Sequence, residues 1–156
     1  MNKVELNRFV GQFLTLAFCM LFFVNTASGI AGSRLEKKSK SSTDIAERYF
    51  KKGMKASVKA SGQENKAAAN TGSKKQSYLK NAKKHHLKAI SFYNKVIKVS
   101  PNHPEARTSL GYALLKTGSY SKAITELDAA LNLDSSNEKA LSYRAKALTE
   151  LKQYGD

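Results

Sequence analysis

The chain repeats its own pattern at a distance of 34 residues. Shifted by that distance, the segment KAISFYNKVIKVSPNHPEA, which starts at Lys88, falls on KAITELDAALNLDSSNEKA, which starts at Lys122. The matching positions are small or apolar, and they include Ala89 with Ala123, Ile90 with Ile124, Val96 with Ala130, and Ile97 with Leu131. A period of this length is the signature of units that bury their apolar faces by stacking on one another. The sequence therefore predicts a repeated packing surface.

Two glycines stand in the apolar stretch LGYALLKTGSYSKAI, residues 110–124. The stretch has helical spacing, yet a glycine inside a helix costs about 1 kcal/mol relative to alanine. Gly111 lies in the middle of the helical pattern, and Gly118 follows one heptad later. Each glycine therefore needs a structural reason to be there.

A set of residues in and around this stretch has the spacing of one known repeat: Leu110, Gly111, Gly118, Tyr120, Ala123, Leu127 and Ala130, with Pro101 closing the preceding unit. In these residues the chain resembles the tetratricopeptide repeat, a helix–turn–helix unit. The match is strong over 104–137 and partial on either side. The chain departs from the family at Arg107, where the family often has Trp, at Leu114 in place of Tyr, and at Ser135 in place of Pro. A capping box of Ser135 with Glu138 is the expected substitute for the missing proline.

The resemblance implies an all-α fold, a short α-solenoid of about two units plus a C-terminal capping helix. In this family small residues lie where helices cross, so Gly111 would let a neighbouring helix approach its backbone. Gly118 would end the first helix of the unit in a conformation with positive φ. Tyr120 would then begin the second helix and pack back across the turn.

The segment IAERYFKKG supplies a candidate first helix for the earlier unit, because three of its residues share a spacing with the strong repeat: Ala46, Tyr49 and Gly53 correspond to Gly111, Leu114 and Gly118. An insert of about thirty residues would separate this helix from its mate. Residues 58–77, VKASGQENKAAANTGSKKQS, are predicted to form a solvated, mobile, basic insert whose alanines allow transient helix. The repeat domain is therefore expected over 43–156.

Residues 1–29 have the order of a secretory signal peptide. A basic start precedes an apolar run from Phe9 to Val24, and the small residues Ala27 and Gly29 stand before the expected cut. We expect export, to a bacterial periplasm, with a polar linker over 30–42. The apolar run is shorter than the roughly 20 residues of a spanning helix. An uncleaved signal that anchors the chain in the inner membrane is the alternative.

The formal net charge of +15 belongs to one half of the chain. Residues 34–100 carry 18 Lys and Arg against 4 Asp and Glu, whereas residues 101–156 carry 7 of each kind. Six lysines are candidate contacts for a polyanion, with a solvated helix face as the alternative: Lys74, Lys75, Lys80, Lys83, Lys84 and Lys88. Nucleic acid is not expected as the partner, because no aromatic residues are interleaved for base stacking.

No catalytic pattern is present in the sequence. There is no supported Ser, His and Asp set, no glycine loop for phosphate and no metal-ligand spacing. His85 and His86 are adjacent, and neighbours on a helix point about 100° apart, which makes them a poor metal pair. We therefore expect neither an enzyme, nor a cofactor, nor a metal site.

Stacked helix pairs form a superhelix with a concave face, and the resemblance implies that this groove receives a peptide or an extended segment of another protein. By position, its residues would be Thr108, Tyr112, Leu115, Ser142, Lys146 and Thr149. Tyr112 is either the anchor for that segment or a residue that packs on the insert or the first helix. The sequence thus predicts an exported scaffold or adaptor that binds another protein. The alternative is a protein that associates with an anionic membrane or cell-envelope surface through its lysine-rich insert, and two units are few enough to suggest self-association.

Overall fold

The computed structural model describes residues 42–154, and this part of the chain is all-α. It contains five helices: α1 over 42–68, α2 over Gly72–Val99, α3 over Pro104–Thr117, α4 over Tyr120–Leu133 and α5 over Glu138–Tyr154. The prediction of an all-α helical repeat is confirmed. The predicted signal peptide over 1–29 and the predicted linker over 30–42 lie outside the described residues, except for residue 42, which already belongs to α1.

The α3–α4 pair is the helix–turn–helix unit that the sequence predicts. Gly118 ends α3 with a φ of 87°, and its N–H donates to the carbonyls of Leu114 and Leu115. This left-handed ending needs glycine, because other side chains are strained there. Four of the predicted packing residues are buried in the core: Leu110, Ala123, Leu127 and Ala130. Tyr120 is partly buried and packs against this core.

Gly111 marks the crossing of α3 and α4. A Cβ atom placed on Gly111 would lie 2.5 Å from Cγ of Leu127, a side chain with no exposed surface. Real Cβ atoms do not approach a neighbour so closely, so only glycine allows α3 this near to α4. The predicted close approach is confirmed.

Gly53 plays the same part in the earlier unit, which corrects the predicted register. We matched Gly53 to the helix-ending Gly118, but Gly53 lies inside α1 and has an ordinary helical backbone. A Cβ atom there would lie 2.5 Å from Cε1 of Tyr93 on α2. Gly53 is therefore the counterpart of Gly111, and the large side chain that crosses it is Tyr93 instead of Leu127.

The predicted mobile insert at 58–77 is instead a helical hairpin. Residues 58–68 continue α1, the chain turns over 69–71 with Gly72 at a φ of 59°, and α2 begins at once. The physical reason is a stripe of alanines whose small side chains let the two helices lie close together. Ala60, Ala67 and Ala82 are almost fully buried. The α2 helix consequently has 28 residues, twice the 14 of α3 and α4.

The start of α5 is held by Asn137, and the predicted capping box of Ser135 with Glu138 is wrong. Oδ1 of Asn137 accepts the backbone N–H of Ala140 at 3.0 Å, which is the usual side-chain cap of a first helical turn. Nδ2 of Asn137 donates to Oγ1 of Thr108 on α3 at 3.3 Å. One side chain therefore both begins α5 and ties it to α3. Among the described helices, none is long and apolar enough to cross a membrane.

Replacing Asn137 with alanine should lower the free energy of unfolding by about 1–2 kcal/mol, because a cap and an interhelical bond are lost together. Thermal or urea unfolding followed by circular dichroism measures this. Asn132 is exposed within α4, and the matched change Asn132→Ala should be neutral or slightly stabilising, since alanine is the better helix former. Equal effects at the two positions would contradict the capping role.

Candidate protein-binding groove

A concave surface runs across the first helices of the successive units, and we call it the groove. It is a depression of about 200 Å³ between α1, α3 and α5, with the hydroxyl-bearing Tyr93 of α2 at its edge. Its lining residues are Met54, Ser57 and Val58 from α1, Thr108, Ser109 and Tyr112 from α3, and Lys139 and Tyr143 from α5.

The groove holds an aromatic pair at its centre. The rings of Tyr112 and Tyr143 have centroids 4.7 Å apart at an interplanar angle of 38°. Met54 and Val58 lie beside them with 48% and 69% of their surface exposed. Tyrosines suit a binding surface because they offer large area at a small cost in conformational entropy. An apolar segment laid along the groove would therefore find both aromatic and aliphatic contacts.

Several polar groups line the groove, and some of them are already bonded within the protein. The hydroxyls of Ser57 and Tyr93 share a hydrogen bond of 3.1 Å, and Oγ1 of Thr108 donates to the carbonyl of Pro104 at 2.9 Å. Burial raises the pKa of Tyr112 above its ordinary value, so its hydroxyl stays protonated. Lys139 supplies the one cationic side chain among the lining residues.

A polar cluster around the buried His86 lies beside Tyr112 of the groove. Nε2–H of His86 donates to Oε1 of Glu64 at 3.2 Å, and the same oxygen pairs with Nζ of Lys116 at 2.9 Å. His86 stands edge-on to Tyr112, with ring centroids 6.0 Å apart. The cluster joins α1, α2 and α3, and it places the hairpin against the ring of Tyr112.

Two members of this cluster, His86 and Lys116, have shifted pKa values. Burial lowers the pKa of His86, and the hydrogen bond and charge of Glu64 oppose that change only in part. Burial also acts to lower the pKa of Lys116, but its hydrogen bond to Glu64 and the electrostatic interactions with Tyr112 and Glu64 outweigh burial, so the pKa is raised. These shifts favour a neutral histidine beside a charged lysine.

The structure brings some of the predicted groove residues together and separates others. Tyr112 lines the groove and also packs against His86 of the hairpin, and its role as an anchor for a bound segment stays a prediction. Thr108 lines the wall. Leu115 does not face the groove, because it packs into the main hydrophobic core, where it is 6% exposed.

On α5 the groove uses residues that the sequence pattern did not single out. Ser142, Lys146 and Thr149 are exposed on this helix, but none of them lines the depression. Lys139 and Tyr143 do so instead. The contributions of α1 were also missed, since the segment around Val58 was interpreted as an insert. The spacing of Ala56, Ala60 and Ala67, four and seven residues apart, is the signal that could have revealed a continuous helix.

The six lysines predicted to contact a polyanion lie on α2. All six are exposed, and none forms an ion pair within 4.0 Å with a carboxylate of residues 42–154. Lys88 borders a concavity on the side of the α1–α2 hairpin. Across the same described range, no three His, Cys, Asp or Glu side chains are grouped as they would be to hold a metal ion.

A comparison with protein families bears on the repeat. The family described as "Anaphase-promoting complex, cyclosome, subunit 3", a tetratricopeptide-like repeat family, matches residues 82–156. The match spans most of α2 and all of α3, α4 and α5, and it supports a tetratricopeptide-type repeat here. No curated protein matches the chain.

Proposed function

We propose that the chain is an exported scaffold or adaptor that binds a segment of another protein in the groove between α1, α3 and α5. The observation that carries this proposal is the pair of Tyr112 and Tyr143, which contact each other and line a concave surface flanked by exposed Met54 and Val58. Tetratricopeptide-like repeats generally bind other proteins, and the repeat match therefore supports the same class of function.

The lining of the groove indicates the chemistry of its occupant. Aromatic and aliphatic side chains dominate, and the polar groups of Ser57 and Thr108 are already used within the protein. Lys139 adds one positive charge at the α5 side. A matching segment would be extended, with one or two apolar side chains for the tyrosines and a carboxylate near Lys139.

The test is selection of peptides from a random displayed library on the full-length chain, followed by measurement of their affinity by fluorescence anisotropy. Val58→Glu places a charge in the groove, and since Val58 is 69% exposed the fold should survive. We expect affinity to fall at least about tenfold, or about 1.4 kcal/mol. Tyr143→Ala should have an effect of the same order, since it removes half of the aromatic pair.

Leu87→Glu is the matched control for the groove variant. Leu87 is also exposed, at 53%, but it lies on α2 and does not line the groove. The selected peptides should bind this control as they bind the unaltered chain. Failure to select any peptide, or an equal loss in Val58→Glu and Leu87→Glu, would refute the groove as the binding surface.

A further inference from the structure

A second concavity lies on the α1–α2 hairpin, and four of its seven lining residues are lysines. It has a volume of about 280 Å³, and the floor is formed by Ala56 and Phe92. Three lysines of α1 and two basic residues of α2 surround that floor: Lys52, Lys55, Lys59, His85 and Lys88. None of the residues that line the groove also lines this concavity.

Helix geometry brings the basic residues of the concavity together. Lys52, Lys55 and Lys59 follow one another at intervals of three and four residues, so they share one face of α1. His85, Lys88 and Phe92 have the same intervals on α2. The hairpin places the two faces side by side, and the concavity lies between them.

The charges in the concavity are not neutralised by the protein. α2 contains no Asp or Glu, and α1 contains three. Of these three, Glu47 pairs with Lys51 at 3.4 Å, and Glu64 is held by Lys116 and His86. None of the four lining lysines is within 4.0 Å of a carboxylate in the described helices. A cleft lined by one sign of charge concentrates ions of the opposite sign, so the concavity favours an anion.

Phe92 gives the floor a second property. The ammonium groups of Lys52 and Lys95 lie 6.0 Å and 5.7 Å from the centroid of its ring. These cation–π contacts hold the two lysines at the ring. The apolar surface of the floor can pack against the organic part of a ligand, while the lysine ammonium groups bind the negatively charged part.

Size and charge define the ligand class. Pockets for drug-sized ligands measure about 300–1,000 Å³, and this concavity falls just below that range. A carboxylate carries one negative charge, whereas a phosphate monoester carries about −1.5 to −2 and three acceptor oxygens. Lysine binds phosphate as a mobile point charge, which suits four lysines around one group. A lone aromatic ring provides no stacking platform for successive bases.

We propose that the concavity at Lys55, Lys59 and Lys88 is a binding site for a phosphate group carried by a small ligand or by a lipid headgroup. The site is independent of the groove and of the protein-binding function proposed for it. It also differs from the lysine stretch predicted from the sequence, with which it shares only Lys88.

The test uses the full-length chain and two probes at about 0.15 M salt, where exposed charges more than about 8 Å apart are largely screened. Tripolyphosphate, followed by isothermal titration calorimetry, represents a free phosphate ligand. Phosphatidylcholine vesicles with and without phosphatidic acid, followed by sedimentation, represent a lipid headgroup. The triple variant K55Q/K59Q/K88Q removes three charges from the site. We expect it to bind at least about tenfold more weakly to the probe that the unaltered chain binds.

The matched control is K74Q/K75Q/K80Q, which removes the same number of charges from exposed positions of α2 outside the concavity. It should change affinity by less than about threefold, or about 0.7 kcal/mol. If K55Q/K59Q/K88Q selectively loses affinity for tripolyphosphate, the ligand is a free phosphate compound. If it selectively loses affinity for the vesicles alone, the ligand is a lipid headgroup. Equal weakening by the two triple variants would show diffuse attraction and overturn the site, as would the absence of binding to both probes.

Discussion

Replacing Gly111 with leucine is expected to lower the free energy of unfolding by about 3 kcal/mol or more. At this crossing even a single Cβ would lie 2.5 Å from Cγ of Leu127, whose side chain is fully buried. Overpacking by a few methylene groups already costs about 1–3 kcal/mol. Since small domains have about 5–15 kcal/mol of total stability, we expect a much lower midpoint in urea unfolding and loss of helical signal on mild warming.

The control for this prediction is the same substitution at Gly62. Gly62 lies within α1, and a Cβ there would meet no atom within 4 Å. Gly62→Leu should stabilise the protein by up to about 1 kcal/mol, because leucine is a better helix former than glycine. The two substitutions are therefore expected to change the free energy of unfolding in opposite directions. A Gly111→Leu protein as stable and as helical as the unaltered chain would mean that α3 and α4 do not cross as described.

Acidification from about pH 7 to about pH 5 is expected to weaken the fold through His86. Burial lowers the pKa of His86 from its ordinary value of 6.5, and the side chain is 1% exposed. Below pH 6.5 His86 binds a proton in the unfolded chain but stays neutral in the folded chain, because its pKa there is lower. The contribution of His86 to stability is therefore complete above pH 6.5 and is lost as the pH falls below it, by at most about 1.4 kcal/mol per pH unit.

The neighbours of His86 explain why the folded chain resists that proton. Nε2–H of His86 already donates to Glu64, and Nδ1 is buried without a hydrogen-bond partner. Protonation would place a charged N–H donor at that buried nitrogen, beside the cation of Lys116. The favourable charge of Glu64 is shared with Lys116, so it offsets the burial only partly.

His86→Gln and His85→Gln separate this effect from the general response of the protein to acid. Glutamine at position 86 can still donate to Glu64 but does not titrate, so the loss of stability between about pH 7 and about pH 5 should become shallower. His85 is adjacent and only partly buried, and its replacement should leave the pH dependence close to that of the unaltered chain. Thermal unfolding at a series of pH values measures both. Identical profiles for His86→Gln and the unaltered chain would rule out the proposed role of His86.

The sequence pattern predicts only some of the residues that line the groove. Tyr112 and Thr108 were predicted from their positions in the repeat, and both line the groove. Leu115 was predicted by the same reasoning and lies in the core, packed with buried residues of the other helices. Lys139 and Tyr143 were not predicted, since the face of α5 that lines the groove depends on how whole helices pack.

The α3–α4 unit could be predicted from the amino-acid pattern alone. Gly111, Gly118 and Leu127 lie within a single repeat, and each role follows from a local requirement: a close backbone approach, a positive φ and a fully buried side chain. Such requirements recur at fixed spacing along the chain, so periodicity reveals them.

The hairpin, the groove and the cationic concavity follow from helix packing and could not be read from the sequence. Alanine is compatible with both a solvated helix and a buried one, so the state of Ala60 and Ala67 depends on whether another helix lies against them. Val58 lines the groove together with Tyr143, and Lys59 lines the concavity together with Lys88, across distances in sequence that no helical period encodes. Spacing determines which residues share a face of one helix, whereas the packing of whole helices determines which faces meet.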